Sequence, residues 1–413
     1  MHILMIAPEP FFEPRGTAFS EYHRIRALID LGHTVDLVTY PFGQDRPMAG
    51  LRVFRCMRPP FIRRIGIGPS FAKIPLDISL AVTAFARALR GRYDAVHSHE
   101  EGIAIGIVLA GLLRVPHLYD MHSSLPQQLT NFAFTQSRSV RWMFEVLERF
   151  VIRHSRVVIV ICPELQTTVQ GIESGVPCVL IENAPGSSPE STENPGSSGN
   201  PGSNGSPQQG TTDSLRASLG VTPGQPVVLY TGTFEPYQGL DLLLDAFVHV
   251  ARSRRDARLV LAGGNPDQIA ALRSEAASRG IADAVVFAGQ RPSEEIPLYL
   301  RMATALVSPR RTGTNTPLKI YQYLRSGTPI VATRLLTHTQ VLSDDTAILT
   351  PATPEGFAEG ILSAIGDSTR ASAVAARARH LADTKYSYEA YLARTREACA
   401  HLAVPQVARQ MPA

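Results

Sequence analysis

One stretch of the chain, from Pro185 to Gly210, is almost free of apolar side chains and reads PGSSPESTENPGSSGNPGSNGSPQQG. A segment of this composition cannot bury enough apolar surface to fold, so it is typical of a flexible tether. The 413 residues are also too many for one ordinary hydrophobic core. We therefore predict four segments: an N-terminal domain at 1–184, a linker at 185–212, a C-terminal domain at 213–385 and a last helix at 386–402.

The N-terminal side alternates short apolar strands with helices. It opens with a strand at His2–Ala7, a helix at Ala18–Leu31 and a strand at Thr34–Thr39, and the alternation continues to residue 182. Such alternation predicts a parallel sheet with helices on both faces. The first loop, PEPFFEPRGTAF, holds one glycine where a dinucleotide-binding loop needs three, which argues against a nicotinamide cofactor.

The C-terminal side repeats this pattern. A strand at Val227–Thr231, a helix at Leu240–Arg252 and a strand at Ala257–Ala262 begin the series. The fold class is therefore α/β, with two doubly wound, Rossmann-like domains. We expect the two domains to face each other across a cleft, with the tether allowing them to move.

The most informative stretch lies in the second domain and reads SPRRTGTNTPLKIYQYLRSGTPIVAT, residues 308–333. It predicts a loop, a helix with Thr316 as its N-cap and Pro317 as its first residue, a turn at Gly327 and a buried strand. A loop containing Gly313 that leads into a helix N-terminus presents free backbone N–H groups and the positive end of the helix dipole. This arrangement favours phosphate.

Three cations, Arg310, Arg311 and Lys319, flank the same loop. Guanidinium groups suit diphosphate oxygens, and an ammonium group adds a point charge. The alternative is an ordinary helix cap with surface cations, and the loop alone does not decide between the two.

Composition disfavours several classes of protein. No apolar run approaches the roughly 20 residues that span a bilayer, and the N-terminus, MHILMIAPEP, lacks the basic region of a secretory signal, so we expect a cytoplasmic protein. The four cysteines have no metal-ligand spacing, which favours reduced thiols over a zinc site or disulfides. We predict no metal and no cofactor.

Histidines and acids cluster at two predicted strand ends. Asp120 and His122 lie at one end, and the cluster His97, His99, Glu100 and Glu101 lies at the other. A strand-end histidine can donate a hydrogen bond or move a proton near neutral pH, and His122 is the better candidate. Since no third metal ligand recurs at a helpful spacing, hydrogen-bonded structural histidines are favoured at 97 and 99.

Positive charge is concentrated between Gly50 and Arg92, where nine Lys and Arg residues accompany Asp77 as the single acid. Apolar side chains are interleaved with them: Phe54, Phe61, Ile62, Ile65, Ile67 and Phe71. Such a run favours peripheral contact with anionic lipid at the inner membrane face, or an anionic acceptor. The alternative is a solvated face with ordinary arginines. No nucleic-acid motif accompanies the charge, so nucleic acid is not an expected partner.

Two N-terminal motifs resemble those of the retaining glycosyltransferases of family 4, which share the two-Rossmann GT-B fold. RGTAFSEYHRIRALIDLGHTVDLVT is similar to the family's first loop and helix, and it places Gly16 and Thr17 where the family has a glycine pair near donor and acceptor. YDMHSS is similar to the segment whose histidine lies near the transferred sugar, and the matching residue is His122.

Further motifs follow in the family's order. YTGTFEPYQGLDLLLDAF resembles the glycine-led loop at Gly232, VVFAGQ resembles the loop that meets the base at Gln290, and TPLKIYQYLRSGTPIVAT resembles the donor-sugar and ribose segment. YSYEAYLA resembles the closing helix, which implies that residues 386–402 cross back to the first domain. The resemblance covers nearly the whole chain except the tether.

The chain also departs from the family's pattern. Thr314 and Gln322 stand where the family usually has two glutamates, and Thr233 and Gln238 stand where it has an Arg and a Lys for the diphosphate. Gln322 can still hydrogen-bond a ribose hydroxyl through its carbonyl oxygen. The diphosphate then depends on the three cations of the 308–333 stretch and on the helix N-terminus.

The resemblance implies transfer of a sugar from a nucleoside diphosphate sugar to a hydroxyl acceptor, with retention of anomeric configuration. The acceptor would be a lipid-linked or polysaccharide precursor of a cell-envelope glycan. Catalysis is assigned to His122, Lys319, Arg311 and Asp120. Binding of the sugar nucleotide is assigned to Gly16, Thr17, Gly232, Thr233, Gln290, Arg310, Thr314, Asn315, Thr316 and Gln322. The alternative hypothesis is a non-catalytic sugar-nucleotide sensor or partner protein.

Overall fold

The computed structural model of the chain describes residues 1–12, 16–62, 73–126, 137–182 and 207–403. The chain divides into two compact units, one formed by Met1–Asn183 with Glu389–Ala413 and the other by Ala184–Tyr388. Each unit contains one parallel sheet flanked by helices. The prediction of two Rossmann-like halves is confirmed.

The first unit is built on seven strands: β1 (His2–Ala7), β2 (Thr34–Thr39), β3 (Leu51–Arg55), β4 (Ala95–His99), β5 (His117–Met121), β6 (Val157–Val160) and β7 (Cys178–Leu180). They pair in the order β3-β2-β1-β4-β5-β6-β7. Five helices connect them: α1 (Gly16–Asp30), α2 (Ile74–Arg90), α3 (Ile103–Leu113), α4 (Arg138–His154) and α5 (Pro163–Ile172). The chain leaves β1 toward one edge of the sheet and β4 toward the other, so the switch point where ligands bind in such folds lies between their carboxyl ends.

Alternate side chains of β1 enter two different cores. Leu4 and Ile6 pack with residues of α2 and α3, whereas Ile3 and Met5 pack with residues of α1. Because successive side chains of a strand point to opposite faces, helices cover both faces of this sheet. The strand ends, and the polar groups on them, are thereby held in fixed positions.

The second unit is built on six strands: β8 (Val227–Thr231), β9 (Arg258–Ala262), β10 (Val285–Gly289), β11 (Ala305–Ser308), β12 (Ile330–Thr333) and β13 (Ile348–Thr350). They pair in the order β10-β9-β8-β11-β12-β13, so the switch point lies between β8 and β11. Its helices are α6 (Pro207–Ser218), α7 (Leu240–Ser253), α8 (Pro266–Ser278), α9 (Ile296–Met302), α10 (Lys319–Ser326), α11 (Leu336–Thr339), α12 (Pro354–Gly366) and α13 (Ser368–Lys385).

The closing helix, α14 (Tyr388–Ala403), packs on the first unit. Cys399 joins the core that contains Ile3. Arg394 donates from Nη1 to Oε2 of Glu182 over 2.6 Å, and the Glu182 side chain is fully buried. The end of the chain is therefore tied to the N-terminal sheet through both apolar and charged contacts.

The linker predicted at 185–212 is wrong at its C-terminal end, because helix α6 begins at Pro207. Proline is compatible with the first turn of a helix, where its missing N–H has no partner to lose, and glutamine is a good helix former. The preceding part of the predicted tether, residues 185–206, lies outside the described residues.

The helix predicted to start at Pro317 with Thr316 as its cap begins later, at Lys319 with Leu318 at the N-cap position. The reason is a tight first turn in which the Ile320 N–H donates to the carbonyl of Pro317 over 3.0 Å. Hydrogen bonds of this three-residue spacing form a 3₁₀ turn rather than an α turn. The predicted end of the helix is confirmed, since Gly327 adopts a φ of 73° there.

Three short elements, β3, α11 and β13, were not predicted. β3 is an edge strand whose sequence, LRVFR, carries two arginines that obscure the apolar alternation. α11 has four residues and β13 has three, which is too short for a periodic signal.

The loops at the carboxyl ends of the second sheet are tied together by backbone contacts. The Gly232 N–H donates to the carbonyl of Ala262 over 3.0 Å, and the Gly263 N–H donates to the carbonyl of Gly289 over 2.8 Å. Gly263 has a φ of 137°, and a Cβ at this position would lie 1.8 Å from the carbonyl oxygen of Gly232. Only glycine allows these two loops to approach so closely.

Replacement of Gly263 by alanine is expected to lower the free energy of unfolding by at least ~2 kcal/mol, since backbone atoms of Gly232 cannot yield. Gly280→Ala is the matched control, because Gly280 also has a positive φ of 71° but would have nothing within 4 Å of its Cβ. Thermal unfolding of both variants provides the comparison. Equal losses of stability would contradict the close approach of the loops.

Candidate functional site

Lys319, the first residue of α10, is buried at the switch point of the second sheet, with 8% of its surface exposed. Its Nζ donates to Oε1 of Gln238 over 3.2 Å and lies 3.7 Å from the centroid of the Tyr230 ring. A Cβ built on Gly232 would lie 3.2 Å from the same Nζ. All three neighbours of the ammonium group are uncharged.

A second cation, Arg310, lies beside Lys319. Its Nη1 donates to the backbone carbonyl of Asn315 over 2.9 Å, and its guanidinium lies 5.2 Å from the centre of the Tyr237 ring. The Nε atom of Arg310 is shielded from solvent and makes no hydrogen bond within the described chain. Arg310 therefore also contacts only neutral groups.

These two cations lack charge compensation. No carboxylate of the described residues forms an ion pair with Lys319 or Arg310. Burial lowers the pKa of Lys319 well below its ordinary value, and the charge of Arg310 lowers it further. Because burying an unpaired charge costs several kcal/mol, such a pair indicates a site for an anion.

Arg311 differs from the other two cations. Its Nη1 lies 2.6 Å from Oδ2 of Asp241 at the start of α7, and both side chains are about half exposed, at 52% and 47%. A phosphate oxygen would have to compete with this carboxylate for the guanidinium group. The three cations grouped by the sequence thus occupy two kinds of environment.

The loop between β11 and α10 is braced by groups that sequence reasoning missed. His338 Nε2 lies 2.8 Å from Oγ of Ser308, and its Nδ1 lies 2.8 Å from the carbonyl of Thr333. Burial lowers the pKa of His338 to about 3, so the ring is neutral. Gln340 donates to the carbonyl of Thr314 over 2.7 Å, which holds the loop from its far side.

The remaining residues assigned to the sugar nucleotide differ in exposure. Thr316 is buried and its hydroxyl has no hydrogen-bond partner within the described residues. Thr233 accepts a hydrogen bond from the Tyr230 hydroxyl through its carbonyl, over 2.7 Å. Gln290, just after β10, and Gln322, on α10, are exposed. The backbone of Gly232 has a φ of 135° beside Lys319.

In the first unit, Asp120 is the centre of a buried polar cluster. Its Oδ2 accepts from Nε of Arg24 over 2.8 Å and lies 3.3 Å from Nε2 of His97, while its Oδ1 lies 3.2 Å from Nε2 of His122. Despite the desolvation that opposes ionisation, the positive charges of Arg24 and His122 hold the pKa of Asp120 well below its usual range. The carboxylate is therefore ionised, and it lies within ion-pair distance of His122.

Arg24 links this cluster to the closing helix. Its guanidinium lies 5.0 Å from the centre of the Tyr391 ring, and its Nη1 lies 3.5 Å from the hydroxyl of Thr395. No sequence pattern pointed to Arg24, because it lies 96 residues from Asp120. Gly16 and Thr17, the predicted glycine-pair positions, form the start of α1; residues 13–15 lie outside the described chain.

Three carboxyl groups with raised pKa values also lie at this switch point: Glu100, which the sequence places at a strand end, and Glu9 and Glu21, which sequence reasoning missed. Burial and the neighbouring Glu21 raise the pKa of Glu9 well above its ordinary value, and burial raises the pKa of Glu21 to about 8. Burial likewise raises the pKa of Glu100 to about 7, and Glu100 accepts a hydrogen bond from Ser123 over 3.0 Å. Glu100 also has a φ of 43°, which is rare for a residue with a side chain.

His97, His99 and Asp120 form a group whose ligand atoms lie within 4.8 Å of one another. The third ligand that the sequence did not reveal is thus Asp120. However, Arg24 already supplies the positive charge beside Asp120, and an added cation would be repelled by it. These contacts favour a hydrogen-bonded cluster, and the absence of a metal stays a prediction.

The basic run is partly structural. Arg52 donates to both carboxylate oxygens of Asp36 over 2.7 and 2.8 Å, and Arg87 lies 3.8 Å from the ring centre of Phe54. Ile62, expected at the lipid surface, is buried. For Arg52, Arg87 and Ile62, these contacts therefore favour ordinary structural roles over a role at a lipid surface. Five others of the run lie outside the described residues: Arg63, Arg64, Ile65, Ile67 and Phe71.

Two family models match the chain. A model described as "Glycosyl transferase 4-like domain" matches residues 18–183, and one described as "Glycosyl transferases group 1" matches residues 225–367. The chain belongs to glycosyltransferase family 4. The family's N-terminal match covers the Asp120 cluster, and its C-terminal match covers the Lys319 site.

Curated relatives agree with this assignment. A D-inositol 3-phosphate glycosyltransferase of Corynebacterium diphtheriae is 24% identical over 299 residues, which is 70% of this chain and 65% of the relative. A GDP-mannose-dependent alpha-(1-6)-phosphatidylinositol monomannoside mannosyltransferase of Mycolicibacterium smegmatis is 30% identical over 184 residues, which is 42% of this chain and 47% of the relative. The match spans less than two thirds of the length of either relative.

Solved structures show the GT-B fold. Sucrose-phosphate synthase from Thermosynechococcus elongatus is similar with a TM-score of 0.73 and 18% identity, covering 97% of this chain and 98% of its own. Anabaena Alr3699/HepE in complex with UDP is similar with a TM-score of 0.69 and 18% identity, covering 97% of this chain and 100% of its own. The fold expected from the resemblance is confirmed.

In this family 4 member, Lys319→Met is expected to raise the free energy of unfolding of the ligand-free protein by ~1 kcal/mol, because it removes a buried uncompensated charge. If Lys319 instead stabilised the fold, Lys319→Met would lower the free energy of unfolding. Lys385→Met, at an exposed position, is the control and should change stability by less than ~0.5 kcal/mol. Urea unfolding measures both, and destabilisation by Lys319→Met would contradict the anion-site interpretation.

Proposed function

We propose that the protein transfers a sugar from a nucleoside diphosphate sugar to a hydroxyl acceptor with retention of anomeric configuration. The observation that carries the proposal is the buried ammonium group of Lys319, which has no carboxylate partner among the described residues. A diphosphate supplies the missing negative charge. Membership of family 4 and the names of the relatives, which include a GDP-mannose-dependent enzyme, support a sugar nucleotide as the source of that diphosphate.

Catalysis would rest on stabilising the charge of the departing diphosphate. Lys319 and Arg310 provide positive charge in a site of low polarity, where each interaction is stronger than in water. Both are held before the donor arrives, Arg310 by the carbonyl of Asn315 and Lys319 by Gln238. Arg311 would contribute only after exchanging Asp241 for a phosphate oxygen.

We propose that the anomeric configuration is retained without a double displacement in which a donor-site residue acts as the nucleophile. The two positions where the family usually has glutamates are Thr314 and Gln322, and neither side chain can act as a carboxylate nucleophile. In the first unit, His122 would donate a hydrogen bond to the sugar or the acceptor, with its ring oriented by Asp120 over 3.2 Å.

Addition of UDP, GDP or ADP to the wild-type protein is expected to raise the thermal unfolding midpoint, since a ligand that binds only the folded state stabilises it. Lys319→Met should weaken the binding of the tightest-binding nucleotide by about 10- to 100-fold, which is the range for a lost charged hydrogen bond. Lys385→Met is the control. If no nucleoside diphosphate gives a shift, or if Lys319→Met binds as well as wild type, the donor site is wrongly placed.

Release of free nucleotide from the matching sugar nucleotide separates an enzyme from a sensor. A transferase is expected to hydrolyse the donor slowly in the absence of acceptor. Tight nucleotide binding with no turnover in the presence of any acceptor would instead favour the non-catalytic sensor.

We also propose that the first unit contacts a membrane, as a cytoplasmic protein at the inner face. Among the described helices, none combines the length and apolar character needed to span a bilayer. Three neighbouring helices, α2, α3 and α4, nevertheless expose large apolar side chains: Ile74, Ile78, Val82, Leu89, Val108, Leu112, Trp142, Met143, Val146 and Phe150. Surface apolar groups concentrated in this way mark an interaction site.

Arginines accompany this apolar face. Arg90, Arg114 and Arg149 lie on or at the ends of the same helices, are exposed, and form no ion pair within the described part of the chain. Apolar groups with unpaired arginines beside them suit a bilayer that contains anionic lipid. The membrane surface proposed from the structure therefore lies on α2, α3 and α4, rather than on the segment around Arg52.

The double variant Val82→Glu, Leu89→Glu is expected to reduce flotation with phosphatidylglycerol-containing vesicles at least tenfold, because carboxylates would be forced against anionic lipid. Ala277→Glu, Ser278→Glu, at two exposed positions in the last turn of α8, adds the same charge elsewhere and should leave flotation unchanged. Binding of the wild type should weaken as salt rises. Absence of wild-type binding at low salt would remove the membrane proposal.

A further inference from the structure

The segment that follows β5 carries His122 and is held by a carboxyl group from a different element of the first unit. Glu148, on α4, accepts hydrogen bonds through both of its oxygens. Its Oε1 accepts from the Ser124 hydroxyl over 3.1 Å, and its Oε2 accepts from the Leu125 N–H over 2.7 Å. One side chain of α4 therefore binds two consecutive residues that lie just after His122.

Glu148 lies on the inner face of α4. Trp142, Val146 and Phe150 of this helix are exposed, whereas Glu148 is only 3% exposed and Val151 is fully buried. Side chains three and four residues apart share one face of a helix. Glu148 and Val151 therefore face the interior of the unit, and the exposed apolar side chains lie on another face.

The contacts of Glu148 require a carboxyl group in particular. A glutamine of the same size would present one acceptor and one donor, so it could accept from only one of the two groups on the segment. The carboxyl group is nevertheless unfavourable at this depth, since burial raises the pKa of Glu148 above its ordinary value, while the hydrogen bonds from Leu125 and Ser124 oppose that effect. What the carboxyl group secures is the path of the chain directly after His122.

His122 lies between anchored positions on both sides. Before it, Asp120 is fully buried at the end of β5. After it, the Ser123 hydroxyl donates to Oε2 of Glu100 over 3.0 Å, and the two contacts to Glu148 follow at once. Because residues 120–125 are so few, the backbone of His122 cannot move far without breaking one of these contacts.

We infer that Glu148 is a positioning residue for sugar transfer, which holds the segment after β5 from the inner face of α4 so that the His122 side chain meets the sugar or the acceptor. The inference rests on the proposed transferase function and on the role proposed there for His122. Glu148 does not contact the substrates itself, because both of its oxygens are bound to the protein. It acts through His122.

The test measures release of nucleoside diphosphate in the absence of acceptor, with UDP-glucose, GDP-mannose and ADP-glucose as probes. Water replaces the acceptor in this reaction: the bond from the anomeric carbon to the diphosphate oxygen breaks, a bond to the water oxygen forms, and free sugar, nucleoside diphosphate and a proton are released. For the probe that the wild type hydrolyses fastest, Glu148→Gln should lower kcat by about 10- to 100-fold, the range for a misplaced group. The KM for the donor should change little, because the diphosphate binds at Lys319.

Glu145→Gln is the matched control. It makes the same chemical change on the same helix, at a side chain that pairs with Arg141 and does not hold the segment after β5. It should leave kcat close to the wild-type value. Thermal unfolding verifies that each variant is folded at the temperature of the assay.

A double-mutant cycle separates positioning of His122 from a purely structural role. In the His122→Ala background, Glu148→Gln should cause little further loss of kcat, because residues that act through one another are not additive. If Glu148 only stabilised the fold, Glu148→Gln would cause the same loss of kcat with and without His122.

A second measurement does not require turnover. In protein labelled with ¹³C-histidine, the ring signal of His122 is assigned by its loss in His122→Ala. Glu148→Gln should shift or broaden this signal, since the segment loses one of its two contacts to α4. Glu145→Gln should leave the signal in place.

Equal losses of kcat from Glu148→Gln in the presence and absence of His122 would overturn the inference, as would a His122 signal that does not respond to Glu148→Gln. Both results leave the transferase proposal intact, because that proposal depends on nucleotide release by the wild type. Absence of release from every probe would remove the transferase proposal, and the role of Glu148 in transfer with it, even if the His122 signal responded.

Discussion

The buried ammonium group of Lys319 is the feature on which the account of the second unit depends. Folding places it against an amide oxygen, an aromatic face and a glycine backbone, and none of these groups carries a charge. Burial of a charge without a counter-charge opposes folding. A protein retains such an arrangement when a ligand provides the missing charge, and the surrounding structure holds the site open for it.

Much of the second sheet supports this one site. Tight glycine contacts hold the loops after β8 and β9 together, and the neutral His338 ring connects the end of β11 to β12. Gln340 fixes the loop that precedes α10. The switch point of the first unit differs, because there the buried cation Arg24 is paired with Asp120 over 2.8 Å.

The order of strands and helices could be predicted from the sequence because it depends on local periodicity. The strands predicted at His2–Ala7 and Val227–Thr231 agree residue for residue with the structure. Lys319 could be named as a site residue because it lies in a loop-helix motif. Its contact with Gln238, 81 residues away, could not be predicted, since it depends on how two strands are placed side by side.

The same limit applies to the first unit. Asp120 and His122 were identifiable as strand-end residues, but their partner Arg24 lies on a helix 96 residues from Asp120. The raised pKa of Glu21 results from burial, which no local pattern of the sequence reveals. β3 was hidden by its own arginines, because an edge strand does not need a continuous apolar sequence.

The chain contains three lysines, Lys73, Lys319 and Lys385, so NMR of ¹⁵N-lysine-labelled protein can follow each ammonium group. The Lys319 signal, assigned by its loss in Lys319→Met, should titrate well below the ordinary pH range of lysine in the free protein. Addition of the best-binding nucleoside diphosphate should raise this pKa, because a nearby anion favours the charged form. A Lys319 signal that titrates like free lysine and does not respond to the diphosphate would contradict the account.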